Sequence, residues 1–233
     1  MHGGDALKLS SNQPCYLPWE GFIERTAMSD VHVIADLNQY SHRNVHNRNR
    51  ILKPEGVKWI TVPVVRTGQP QRLNEVRVNG TEWRRQHRDM LRHAYGKAPY
   101  FRKFWPDYEK IYAQDYELLV DYNVELIKTL LKHYGVEVEL LFGSELKIPG
   151  RKGEKLFNMC VELGADTYIT TPKAKEYLPE DKFERAGIEI VYHVYESTPY
   201  SQGRDEFVPN LSAVDRLFWT GGRKPGGPGR YRD

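Results

Sequence analysis

Cysteine is nearly absent from this chain: only Cys15 and Cys160 stand among 233 residues. They form no CxxC pair and no disulfide framework, so a bridged secreted scaffold is not expected and a reducing, cytoplasmic setting is. Long apolar runs are missing too. No stretch approaches the ~18 continuous apolar residues of a membrane span. The opening Met1-His2-Gly3-Gly4-Asp5 lacks the basic start and apolar centre of a secretion signal. No internal repeat is visible, which argues against a solenoid or propeller. A dominant charge is lacking as well: Lys and Arg exceed Asp and Glu by only three. That balance leans weakly toward anionic partners and falls short of a dedicated nucleic-acid binder, so nucleic acid is not the expected partner. What is present is material for a core, since 39% of residues are hydrophobic and a wholly disordered chain is therefore not expected.

The order of patterns points to an α/β fold. "ALKLSS" alternates and runs into a proline loop, as a first strand would. "WEGFIERTAMSD" spaces Phe22, Ile23 and Ala27 for a short helix, and the β-branched "VHVIADL" reads as a second strand. Strand, loop, helix and strand within ~30 residues make a βαβ unit, which implies a parallel sheet. "KWITVPVV" reads as a third strand, ended early by Pro63, and "NEVRVNG" as a short fourth. Helices follow at Trp83–Ala94, in the aromatic segment after Pro99, and over "DYELLVDYNVELIKTLLKHYG". Alternation then resumes with the strand "VEVELLF", the helix "GEKLFNMCVELG" and the strands "ADTYITT" and "IEIVYHVY"; a short amphipathic helix, "LSAVDRLFWTGG", closes the series. The expected architecture is one α/β domain over residues 1–221. It has a Rossmann-like, mostly parallel sheet flanked by helices, with a helical insertion at about 81–134. A flexible Gly/Pro/Arg-rich tail is expected over 222–233.

Parallel α/β sheets bind ligands outside the carboxyl ends of their strands. Two loops fall there and should be neighbours. The first, "NQPCYLPWEG", holds Gln13, Tyr16 and Trp19 on a backbone stiffened by Pro14 and Pro18. The second, "ADLNQYSHRNVHNRNRI", carries Asp36, Gln39, Tyr40, Arg43 and His46, then Asn47, Arg48, Asn49 and Arg50. Arginine forks match phosphates and carboxylates, and asparagine offers a donor and an acceptor to hydroxyls or base edges. Arg43, Arg48 and Arg50 are therefore the expected anion holders, with Asn47 and Asn49 orienting the ligand. Tyr16 and Trp19 would pack on its ring, with Gln39 and Tyr40 nearby. Asp36, Gln13 and His46 are the candidate catalytic groups. The bland alternative is a solvated loop whose asparagines make turns.

Other features carry weaker signals. His42 and His46 have helical metal-ligand spacing, but the stretch is not helical and has no third ligand, so no metal site is expected. Cys15 reads as a small filler and Cys160 as core. His87 reads as a core histidine. The stripe Arg84, Arg88 and Arg92 reads first as a solvated face and only second as a phosphate-binding one. Tyr95, Tyr100, Phe101, Phe104 and Trp105 read as core packing rather than an acceptor-binding wall. Asp215 is read as orienting an arginine or facing water.

The stretch "QPCYLPWEGFIERTAMSDVHVIADLNQYSHRNVHNRNRI" resembles the signature of WbqC-like proteins. Those show His-Gln-Pro-x-Tyr-Leu-Pro-Trp-x-Gly, then Asp-x-x-Gln, then Asn-Arg-x-x-Ile. Gln13, Pro14, Tyr16, Leu17, Pro18, Trp19 and Gly21 match the first block. Asp36, Gln39, Tyr40, Asn47, Arg48, Asn49 and Ile51 match the others. "WITVPV", "YGKAPYF", "LGADTYIT" and "LSAVDRLFWTGG" extend the resemblance over roughly residues 8–222. Two positions depart from the pattern: Asn12 replaces the usual His, and Leu37 stands where a second acidic residue is common. The first puts an acid–base role there in doubt, and the second a metal role. The resemblance implies a biosynthetic enzyme of O-antigen, other glycan or natural-product assembly. The expected reaction is group transfer on a nucleotide-activated or other anionic small molecule. The resemblance by itself supplies no cofactor and no specific reaction. The rival expectation is a non-catalytic binding or accessory protein that contacts nucleic acid through the arginine stripe and the basic tail.

Overall fold

A computed structural model describes residues 6–222. The tail expected over 222–233 lies, from residue 223 on, outside them. The chain opens with β1 (Lys8–Asn12), α1 (Glu20–Ala27) and β2 (Val31–Ile34). An excursion follows: a hairpin of β3 (Arg48–Lys53) and β4 (Gly56–Thr61), then α2 (Glu82–Tyr95), α3 (Phe101–Ala113) and α4 (Leu119–His133). The α/β alternation resumes with β5 (Glu139–Phe142), α5 (Lys152–Glu162), β6 (Thr167–Thr170), α6 (Glu180–Arg185) and β7 (Glu189–Tyr192), and α7 (Ala213–Thr220) follows.

Five strands form one parallel sheet in the order β5-β2-β1-β6-β7. The fold is α/β, and the chain winds outward from β1 in both directions. All four residues of β2 are buried, as expected of an inner parallel strand covered on both faces. The period of two divides them. Val31 and Val33 join Met159, Cys160 and Phe183 on one face. Ile34 joins Tyr16, Phe22, Trp83 and Phe218 on the other. That second cluster draws on α2, α3, α4 and α7 and is much the larger.

Two sequence expectations change. The segment "RNRI" is not loop: Arg48 through Ile51 pair antiparallel with Thr61 through Lys58. Arg and Asn have low strand propensity and mask the alternation that buries Asn49 and Ile51. The stretch "NEVRVNG" forms no regular strand. Leu73–Glu75 is a 3-10 turn, closed where the Arg72 N–H donates to Glu75 Oε2 at 2.8 Å. Beyond it, pairing shrinks to single bridges, Val64 with Val78 and Arg77 with Leu118.

A cleft at the carboxyl edge of the sheet

The proline loop leaves β1 at the carboxyl edge and turns sharply. Leu17 sits at φ 44°, a region an L-residue with a branched side chain enters only under constraint. Asn49 supplies part of that constraint. Its Nδ2 donates to the Leu17 carbonyl at 2.5 Å, and its Oδ1 accepts from the Arg50 N–H at 2.8 Å. Asn123 of α4 holds both loops at once, donating to the Pro14 and His46 carbonyls at 3.1 and 2.8 Å. The Tyr16 N–H reaches the Val45 carbonyl at 3.0 Å. The two loops are thus neighbours. Gly21 completes the turn, because a Cβ there would lie 2.4 Å from the Trp19 ring.

A cleft of about 1270 Å³ opens beside these loops. Its walls come from the ends of β1, β2 and β6 and from the start of α5, so it straddles the point where the winding of the sheet reverses. Of the site residues expected from sequence, Gln13, Trp19 and Gln39 line it. Gln13 is held from behind. His46 Nδ1 accepts the Ser41 N–H at 3.2 Å, so its Nε2 carries the proton and donates to Gln13 Oε1 at 2.6 Å. This orients the Gln13 amide with its NH₂ free to donate. Burial lowers the His46 pKa, and both its nitrogens are engaged. Trp19 is braced edge-on by Tyr195, 5.0 Å between ring centroids.

The other expected site residues face elsewhere. Tyr16 is fully buried, donating to His87 Nδ1 at 2.7 Å and bonded to the Tyr112 hydroxyl at 2.5 Å. His87 donates in turn to the Thr61 carbonyl at 3.1 Å, and burial lowers its pKa to about 4. Asp36 is 3% exposed and clasps the loop after β5: Oδ1 accepts from the Ser144 N–H at 2.9 Å and Oδ2 from its hydroxyl at 2.6 Å. Tyr40 is half-buried and lies 5.8 Å from the His46 ring. Asn47 donates to the Val62 carbonyl at 2.9 Å. Arg48 lies over the Trp59 ring at 4.1 Å, Arg50 donates to the Asn210 carbonyl at 2.7 Å, and Arg43 is exposed. None of these lines the cleft.

The cations that do line it were not singled out from sequence. Among the described residues they are Arg25, Arg72, Arg151, Lys152 and Lys155, against one carboxylate, Glu176. Arg25 is 4% exposed, and its Nη2 donates to Asn12 Oδ1 at 2.7 Å. A signal for the second group was available in "PGRKGEK", a basic, glycine-containing run just ahead of a helix. Cys15 also touches the cleft, but burial pushes its pKa up to about 12, so it is a neutral thiol.

Two further readings of the sequence gain geometry. In the arginine stripe, Arg84 pairs with Asp115 at 3.0 Å and Arg92 with Glu109. Asp215 faces neither water nor an arginine. It is fully buried and accepts from Tyr200 and Gln202 at 2.6 and 3.0 Å. Among the described residues no helix is long and apolar enough to cross a membrane.

Comparison with known proteins is consistent with the first-loop signature. The profile of the WbqC-like protein family matches residues 13–225. The chain is 30% identical over 221 residues to the uncharacterized protein Rv1507c of Mycobacterium tuberculosis (strain ATCC 25618 / H37Rv), covering 94% of this chain and 96% of that protein. No solved structure matches significantly.

Proposed function

This chain belongs to the WbqC-like protein family, and we propose that it is a biosynthetic enzyme transferring a group to or from a nucleotide-activated or other anionic small molecule. Glycan or natural-product assembly is the setting that fits that chemistry, and the two free, buried cysteines fit a reducing cytoplasm. The observation that carries the reading is the cleft: a volume of about 1270 Å³ at the reversal point of a parallel sheet, lined by five cations and one carboxylate.

Within that reading the residues divide by role. Gln13 offers a pre-oriented amide donor to the substrate, and Trp19 a braced ring face. Gln39 adds a polar contact on the cleft lining. His46 acts as a positioning residue, because it holds Gln13 and both its ring nitrogens are engaged. Asp36 positions the far rim through Ser144. Asn49 and Asn123 fix the proline loop, while Arg48 and Arg50 anchor the hairpin.

A thermal-shift panel of nucleotides, sugar nucleotides and acyl donors tests the reading. We expect one class to stabilise the protein. Gln13→Ala should weaken that ligand by about tenfold, the scale of a lost hydrogen bond to a charged group, and Arg50→Ala should leave it unchanged. No response across the panel, or a response dependent on Arg50 and indifferent to Gln13, defeats it.

A further inference from the structure

Arg25 is a charge buried without a counter-charge. No carboxylate among the described residues lies within ion-pair distance of it, and its Nη1 has no hydrogen-bond partner. Its electrostatic neighbours include Cys15, Tyr168, Tyr177 and His32, none of them anionic at neutral pH. Burying an uncompensated guanidinium is strongly unfavourable, so chains seldom do it away from a binding site. Asn12 repeats the pattern. Its Oδ1 accepts from Arg25, which leaves its Nδ2 as the free donor, and that buried Nδ2 has no partner among the described residues either. Two buried donors flank one hydrogen bond, and both residues line the cleft.

We propose that Arg25 and Asn12 form the receptor for a phosphate-type oxyanion, seated between them and the N-terminus of α5. This rests on reading the cleft as a small-molecule site and names the group it holds. Phosphate oxygens only accept, so they complete both open donors at once. The start of α5 suits the same group. Gly150, Arg151, Lys152 and Lys155 line the cleft where α5 begins, and the first amides of a helix point at a bound anion. Gly153 brings that terminus close to Arg25's surroundings, because a Cβ there would lie 2.1 Å from the carbonyl of Tyr177, itself a neighbour of Arg25. The cation excess of the walls matches a phosphate or diphosphate better than the single charge of a carboxylate.

Calorimetric titration of the full chain with inorganic phosphate, pyrophosphate, a nucleoside diphosphate and acetate tests the assignment. Pyrophosphate or the nucleoside diphosphate should bind at least about tenfold tighter than acetate. Inorganic phosphate matching the nucleoside diphosphate identifies a free-anion site; a tighter nucleoside diphosphate places the phosphoryl on a larger ligand. Two variants locate it. Asn12→Asp supplies an internal carboxylate to Arg25 with almost no change of shape, and Arg25→Met removes the charge. Each should weaken pyrophosphate by about tenfold or more, and Asn12→Asp should also raise the melting temperature. Should Arg25→Met fail to fold, the near-isosteric Asn12→Asp still decides. Folded variants that keep wild-type pyrophosphate affinity overturn the assignment, as does a wild type that prefers acetate. If Gln13→Ala weakens pyrophosphate while the two variants do not, this subsite fails and the reading of the cleft survives. Indifference to all three substitutions defeats both.

Discussion

Arg25 sits on α1 and Arg216 reaches α1 from α7, and both are almost fully buried, 4% and 2% exposed. Around Arg216 every charge is answered. Its guanidinium pairs with Glu20, donates to the Thr198 carbonyl and hydroxyl at 2.6 and 3.0 Å, and lies 4.1 Å over the Tyr200 ring. Glu20 takes a further bond from the Tyr195 hydroxyl. Around Arg25 the only fixed partner among the described residues is an amide oxygen. One end of the helix is built as structure. The other leaves a charge facing a cleft, and that is the pattern expected where a ligand completes the site.

The sharpest way to break this comparison is to remove Arg216. Arg216→Met strands the Glu20 carboxylate in a buried setting and should cost about 3–5 kcal/mol, read from urea denaturation at pH 7. A second change tests the same region through pH. Burial first, with Glu20 adding repulsion, lifts the Asp215 pKa to about 6. A carboxyl raised on folding lends stability that is full below its unfolded pKa and lost as pH rises through the folded one. Asp215→Asn stays neutral and keeps the oxygen that Tyr200 and Gln202 address. At pH 8 it should therefore be more stable than the parent by about 1–3 kcal/mol, with the difference gone near pH 4.

The unpaired end has its own titration. His32 packs near Arg25; burial first, and the arginine second, lower its pKa to about 3. A histidine lowered on folding lends stability that is present above its unfolded pKa of about 6.5 and lost as pH falls. The unfolding free energy from urea denaturation should drop between pH 6.5 and 5 by about 2 kcal/mol from this group, and His32→Asn should reduce that drop. Arg25→Met should move the His32 ring signals in NMR toward titration at higher pH. The smallest expected effect is on Arg25 itself. Arg25→Met should change stability at pH 7 by less than about 1 kcal/mol, because the lost bond to Asn12 is offset by the buried charge removed. A loss as large as that of Arg216→Met would make Arg25 a structural residue and erase the contrast.

The frame of the molecule was readable where one periodicity ruled. "VHVI", "LVDYNVELIKTLLKH" and "AVDRLFWT" are a buried strand and two amphipathic helices, and they fold as such. The adjacency of the two loops was readable as well, since both follow neighbouring parallel strands. The direction a loop side chain takes was not. Tyr16 and Trp19 sit three apart on one proline-stiffened loop, yet one plugs the core and the other faces the cleft. The strained Leu17 lies between them, and nothing in composition reports its φ. The arginines of the second loop looked like anion holders because they were dense, but β3 had already committed Arg48 and Arg50 to the hairpin. Arg25 escaped notice for the opposite reason. A lone basic residue on a short helix reads as solvent-facing until the helix proves buried on nearly every side.

An anionic ligand at the carboxyl edge of the sheet would complete Arg25, and a crystal grown with saturating nucleoside diphosphate shows whether one binds there. Phosphate density is expected within hydrogen-bond reach of Arg25 Nη1 and Asn12 Nδ2, with Gln13 facing the same ligand. Density on the Arg43, Arg48 and Arg50 side of the hairpin, with the cleft holding only water, would contradict it.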